Sequence, residues 1–347
     1  MKNSHLRLKL VVSCLGFVLV ACAPTIKNQA VVDGFIDRMV VNHHFDKPSL
    51  IELFAEVAIR KDILNKISTP AEGLPWYKYR KIFLKENRIK AGVQFWHDYA
   101  NTLASVEKDT GVPAALVVAI IGVETQFGMH TGSYRVIDAL STLAFNYPSR
   151  SQFFGSELEN FLLLCRDEHV SPLVPTGSYA GAMGMPQFMP SSYRKYAIDF
   201  DRDNYRDIWH NPNDVIASVG NYFAKHGWQK GQNVAVPLRD GVRKTDKSFS
   251  FLKENLRFIK SNGSNPNISK PLLQPQKARI IAFEQENGEE LWAPSENFYV
   301  ITRYNKSPLY AMAVFQLSLA ISNQRVSSRY EQNHFNTTYT GTKQLLE

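Results

Sequence analysis

The stretch Gly111-Val-Pro-Ala-Ala-Leu-Val-Val-Ala-Ile-Ile-Gly-Val-Glu-Thr-Gln-Phe-Gly128 carries one acidic side chain at the end of an apolar run. Pro113 suits a first helical turn, where its missing N–H is not needed, and Gly128 is a typical residue just past a helix end. No polar side chain intervenes between Pro113 and Glu124. A carboxylate there is costly unless it keeps its proton, because desolvation raises a carboxyl pKa. The apolar flanks predict a rise of roughly two, about 2.7 kcal/mol. A carboxylic acid held protonated near neutral pH is what general-acid cleavage of a glycosidic bond requires.

Upstream, Lys2, His5, Arg7 and Lys9 make a basic start, Leu10 to Val20 is almost wholly apolar, and Leu19-Val20-Ala21-Cys22 follows. This reads as a secretory signal over 1–21 ending in a lipobox, with Cys22 as the acylated residue. An uncleaved anchor is the other reading, but the run is short for a span and no stop-transfer pattern follows it. Of the 3 cysteines, Cys14 leaves with the signal and Cys22 carries lipid. Cys165, in an apolar run, reads as a small buried hydrophobe. The chain's formal charge is +8, of which Lys2, Arg7 and Lys9 belong to the signal. The remaining excess reads as mild and diffuse, with no dense basic stripe of the kind nucleic acid calls for.

After a short tether, Val32, Phe35, Ile36, Met39 and Val40 share one helical face, and Leu50, Leu53, Phe54, Val57 and Ala58 another. Pro70 to Pro75 is a loop, and residues 88–110 predict one more helix. Between Gln232 and Pro294 short alternating runs, Asn233–Pro237, Ala278–Phe283 and Glu289–Trp292, predict a small β-rich insert. Residues 298–304 read as a strand and Pro308 to Ile321 as a helix, before a loose polar tail over 325–347.

Two further patterns carry chemistry. Gly181-Ala-Met-Gly-Met-Pro-Gln-Phe-Met-Pro190 is a tight loop whose backbone can approach a ligand. Gln187 both donates and accepts, and Ser178 just before the loop adds a hydroxyl; the plain alternative is a structural turn with core methionines. In Asp199-Phe-Asp201-Arg-Asp203-Asn-Tyr205-Arg-Asp207, oxygen ligands alternate as in a calcium loop, with Asn204 where the turn glycine belongs. The twelfth position holds His210, not glutamate. A loop started at Asp201 and drawing on Asp207, or a solvated acidic loop without metal, are the alternatives. The nine histidines show no metal-ligating spacing.

Together Gly122-Val-Glu-Thr-Gln-Phe-Gly128, 140–148, 177–193, 221–228 and Thr302-Arg-Tyr-Asn305 resemble the membrane-bound lytic murein transglycosylase B family, from about residue 30 to about 324. The resemblance implies an α+β, mainly helical fold: a goose-lysozyme-like catalytic core (111–231), a tether and helical domain (22–110), a small inserted β-domain (232–297) and a return strand and helix (298–324) completing the groove. It implies Glu124 as the only catalytic carboxylate, first acid and then base. Tyr79, Ser178, Gln187, Tyr222, Tyr304, Asn305 and Tyr310 match residues that line the saccharide groove, where sugar C–H faces pack on aromatic rings. Asp199, Asp201, Asp203, Tyr205 through its carbonyl, and Asp214 match ligands of a structural calcium; no cofactor is implied for catalysis. Met185-Pro186 departs from the aromatic-Gly pair of some members. The implied reaction is non-hydrolytic cleavage of peptidoglycan at the periplasmic face of the outer membrane, with lipid held through Cys22 and wall synthases as candidate partners. The alternatives are a hydrolytic muramidase, with Asp138 or Glu157 positioning water, and a non-catalytic glycan-binding lipoprotein.

Overall fold

The computed structural model describes residues 29–68, 73–238 and 280–343, with side chains to 327. The expected signal and Cys22, and the middle of the β-rich insert, lie outside the described residues. Helix α1 (Gln29–His43) buries Val32, Phe35, Ile36 and Met39, an i, i+3, i+4, i+7 stripe. Helix α2 (Lys47–Ala55) starts at Asp46, whose side chain accepts from the Ser49 N–H at 2.9 Å. After α3 (Lys61–Ile67) come α4 (Trp76–Phe83), α5 (Glu86–Asp98) and α6 (Ala100–Thr110). The single helix expected over 88–110 is two, because the backbone leaves helical geometry at Tyr99 (φ −114°, ψ 29°).

Helix α7 (Ala114–Thr125) explains its own composition. Every residue from Leu116 to Val123 is buried, because α5, α6, α11 (Pro212–Lys225) and α13 (Pro308–Lys343) all pack against it. A helix apolar on all sides is stable only when enclosed in this way, and each fully buried Val, Leu or Ile contributes about 1.5–3 kcal/mol. Helices α8 (Val136–Asn146) and α9 (Ser151–Asp167) pair beside it, with α10 (Pro190–Tyr196) against α9. Edge contacts among Phe35, Phe54 and Phe145 join the N-terminal helices to α8.

The strands are short. Strands β1 (Tyr134–Arg135) and β2 (Thr176–Gly177) pair antiparallel, Tyr134 opposite Gly177. Strands β3 (Ala235–Pro237), β4 (Ile281–Gln285) and β5 (Gly288–Pro294) form an antiparallel sheet in the order β3-β5-β4. The tight β4–β5 hairpin closes through Glu286-Asn287 between the paired Gln285 and Gly288, with Gly288 at φ 97°.

Two readings of the C-terminal region need correction. Residues 298–304, expected as a strand, lie in helix α12 (Glu296–Tyr304). Ser295 caps that helix by accepting from Asn297 N–H, and Asn297, Phe298, Val300 and Ile301 turn inward at helical spacing. Helix α13 runs on to Lys343, past Ile321 and through the segment expected as a loose tail. No proline or glycine interrupts it between Pro308 and Gly341.

Candidate active site

Glu124 occupies the last turn of α7, where the helix's partial negative end already disfavours a carboxylate. The chain then turns through three left-handed residues, Gln126, Phe127 and Gly128 (φ 50°, 60° and 88°). This turn folds Phe127 back under the helix. A Cβ on Gly122 would meet the Phe127 ring at 2.7 Å, so only glycine admits it. Thr125 fixes the turn to the glycine-rich loop: its Oγ1 donates to the Met185 carbonyl (2.9 Å) and accepts from Gly128 N–H (3.0 Å). Thr125 has no role of its own in the sequence pattern beyond following the acid of the run; its hydrogen bonds to both loops give it one.

The glycine-rich loop is closed by reciprocal backbone bonds between Met183 and Phe188 (2.8 and 3.1 Å). Gly184 (φ 63°) leaves no room for a side chain, since a Cβ there would lie 2.4 Å from the Ile208 carbonyl oxygen. Gln187, at φ 51°, donates its amide N–H groups to the carbonyls of Gly184 (2.8 Å) and Thr131 (3.1 Å). Ser178 Oγ accepts from the N–H groups of Ala180 and Ala182, which leaves its proton to donate. Met185-Pro186 joins two walls: the Met185 side chain abuts Gly128, and the Pro186 carbonyl accepts from Tyr304 Oη at 2.6 Å.

Three tyrosines surround the acid. Tyr310, on α13, donates its hydroxyl to Glu124 Oε1 at 2.5 Å. Tyr304 and half-buried Tyr79, the latter flanked by Trp76 and Phe83, both feel the charge of Glu124. Burial pushes all three phenols above the ordinary tyrosine range, with the nearby carboxylate adding to it. Glu124 keeps part of its surface open, yet protein packs densely around its carboxyl. Burial pushes its pKa up to about 7, against a smaller downward pull from the Tyr310 hydrogen bond.

The remaining predicted groove residues divide. Tyr222 is buried and its hydroxyl donates to the Arg303 carbonyl at 2.7 Å. It packs edge-on against Tyr304, so it supports the groove from beneath and offers no free hydroxyl to a ligand. Asn305 is exposed and its Oδ1 accepts from Ser307 N–H, shaping the entry to α13. The two acids weighed for positioning water hold structure together. Asp138 binds Arg135 and accepts from Ala58 N–H, and Glu157 accepts from the N–H and hydroxyl of Ser191.

In the acidic loop the ligand atoms of Asp199, Asp201 and Asp203 lie within 4.8 Å of one another. Asn204 takes the left-handed conformation expected at the glycine position, φ 72°. Asp199 accepts from the N–H groups of Arg202, Asp203 and Asn204, which curls the loop around its carboxylate. Asp214 stands outside this cluster: it is fully buried, and its two oxygens accept from Phe200 N–H and Asp207 N–H, each at 2.8 Å. It braces the loop from below. Asp207 likewise accepts from the N–H groups of Trp209 and His210. A separate cleft of about 1030 Å³, lined by Trp96, Pro113, Trp228 and Trp292 among others, opens at the far end of α7 and includes none of the site residues.

A lone acid of near-neutral pKa, enclosed by phenols on a mainly helical scaffold, is the equipment of a glycosidic-bond-cleaving enzyme. Residues 27–319 match the transglycosylase SLT domain, and the chain belongs to that family of lytic transglycosylases. It is 41% identical over 309 residues to the membrane-bound lytic murein transglycosylase B of Escherichia coli K12, covering 86% of this chain and 84% of that protein. Its fold is similar to that of the soluble lytic transglycosylase SltB1 of Pseudomonas aeruginosa, with a TM-score of 0.74 and 46% identity over 85% of this chain and 99% of the other. The Escherichia coli lytic transglycosylase Slt35, solved in complex with calcium, gives a TM-score of 0.74 and 40% identity over 85% and 94%. The lysozyme-like, mainly helical class expected from the resemblance is therefore the observed one.

Proposed function

We infer that Glu124 carries both proton transfers of a water-free cleavage of the β-1,4 bond between N-acetylmuramic acid and N-acetylglucosamine. Protonated, it gives its proton to the leaving oxygen; ionised, it takes the proton of the muramic 6-hydroxyl, which attacks the anomeric carbon and closes a 1,6-anhydro ring. The muramic acetamido oxygen stabilises the developing positive charge, as in substrate-assisted glycosidases that lack a second carboxylate. The nucleophile arrives on the substrate at high effective concentration. One observation carries this reading: a single carboxyl with a pKa of about 7, and, among the described residues, no second carboxylate bonded to it or perturbing it. Tyr310 orients it, and Tyr79, Tyr304 and the Ser178 hydroxyl supply ring faces and a donor toward sugar. Digestion of sacculi followed by mass spectrometry tests the reading. The expected ends are one water lighter than reducing ends; reducing ends would indicate a hydrolytic muramidase, and undigested sacculi a glycan-binding lipoprotein.

The acidic loop suits a hard cation, since Asp199, Asp201 and Asp203 bring carboxylate oxygens within 4.8 Å of one another; the resemblance adds the Tyr205 carbonyl and Asp214 as ligands. Calcium there ties the loop together and takes no part in the chemistry. Chelation is expected to lower the melting temperature by several degrees, restored by calcium and not by magnesium. An unchanged melting curve would count against the metal. Among the described residues no helix is long and apolar enough to cross a membrane. Attachment at the periplasmic face of the outer membrane is read from the lipobox at Cys22, and Cys22→Ser is expected to move the protein from the membrane to the soluble fraction.

A further inference from the structure

From Trp76 to Lys90 the chain carries six cations, Lys78, Arg80, Lys81, Lys85, Arg88 and Lys90, against one carboxylate, Glu86. The formal charge of +8 includes Lys2, Arg7 and Lys9 ahead of Cys22, so this segment's surplus matches that of everything from Cys22 onward. Residues 239–279 carry a larger surplus, ten cations against three carboxylates, but lie outside the described residues; among the described residues the positive charge is concentrated on α4 and the start of α5.

The placement ties this charge to the site. Trp76, Tyr79 and Phe83 stack along one side of α4, which packs against β4 and α13, and Tyr79 feels the charge of Glu124. Lys78, Lys81, Lys85 and Lys90 are exposed. Lys81 pairs with Glu286 and Lys90 with Glu86, both in solvent, where such pairs are weak. Among the described residues no carboxylate pairs with Lys78, Arg80, Lys85 or Arg88. Arg88 is buried, donates to the Ile82 carbonyl at 2.9 Å and lies over the Phe83 ring. An unpaired guanidinium in a low-dielectric setting strengthens the positive field along this wall.

We propose that α4 and the start of α5 form a docking surface for the carboxylate-bearing peptide branches of peptidoglycan, beside the bond that is cut. The inference rests on the glycan-cleaving reading above. The sugar backbone is close to neutral, so the polymer's negative charge sits on its peptides. A strand lying against Tyr79 carries those branches past Lys78 and Lys85. An anionic lipid surface is the weaker partner. The first helices to follow Cys22 in the chain, α1 and α2 with their flanks, expose Asp33, Asp37, Asp46, Glu52 and Glu56 against Arg38 and Lys47, an acidic surplus that an anionic lipid surface would repel.

The test compares purified full-length protein on peptide-bearing glycan strands and on the same strands stripped of peptide by an amidase, with the lactyl carboxylates so exposed capped as amides, at low and high salt. For Lys78→Gln/Lys85→Gln, whose exposed positions leave the fold intact, KM on peptide-bearing strands is expected to rise about fivefold at low salt, with kcat unchanged. The difference disappears at high salt and on stripped strands, Lys78→Arg/Lys85→Arg behaves as wild type, and adding Arg80→Gln deepens the effect. An equal rise on both substrates, or no rise, overturns the proposal. So does loss of binding to phosphatidylglycerol vesicles while KM holds. Wild-type protein that cuts neither substrate would count instead against the glycan-cleaving reading.

Discussion

Replacing Glu124 by glutamine is expected to reduce the release of anhydro ends by about 10³-fold or more, with little change in affinity for glycan. Positioned general acid–base groups contribute about 10²–10⁴-fold to rate, and in the proposed mechanism one group serves both proton transfers. Glutamine keeps the volume and can still accept from the Tyr310 hydroxyl, whose bond to Glu124 Oε1 is the side chain's principal polar contact. What it lacks is a transferable proton. The measurement is muropeptide analysis under single-turnover conditions, alongside calorimetric binding of an N-acetylglucosamine oligomer. Turnover within tenfold of wild type would remove Glu124 from the mechanism.

The second large effect is on pH. Burial lifts the Glu124 pKa from 4.5 to about 7, so the fold favours the protonated acid. Its stabilising contribution is fully present below pH 4.5, the unfolded value, and is lost as pH rises through 7. Wild-type protein should therefore lose up to about 3 kcal/mol of stability between pH 5 and 8, less whatever solvent screens at the open side of the carboxyl. Glu124→Gln abolishes that dependence and is the more stable protein at pH 8, read from denaturant midpoints at the two pH values. Parallel slopes for the two proteins would refute the assigned burial. Turnover follows the same titration: only the protonated form starts a cycle, so rate falls on the alkaline side of about 7. Tyr310→Phe moves that limb upward, because the lost hydrogen bond had favoured the carboxylate.

Much of this site could be read from the chain because its signals are local. The apolar run ending in Glu124 is a helix and its acid in one stretch, the alternating runs at 233–237 and 289–292 mark strands, and Asn204 marks its own left-handed position. What escaped depends on distant partners. Val300 and Ile301, β-branched neighbours, look like strand until Ser295 is seen capping a helix before them. Tyr99 breaks a pattern whose periodicity continues on both sides. Asp214 has ligand chemistry, and the fold adds that each of its oxygens also accepts one backbone N–H, from Phe200 and Asp207. Tyr222 differs from Tyr310 in what lies opposite its hydroxyl, which no spacing encodes.

The hydroxyl that orients the acid lies 186 positions beyond it, on the far side of the inserted sheet. A chain that stops short of α13 has its carboxyl but nothing to aim it, and α7 loses one of its four coverings. Competence to cut is thus withheld until nearly the whole polypeptide has been made and docked. For an enzyme whose target is a load-bearing wall, such a folding order keeps immature fragments harmless.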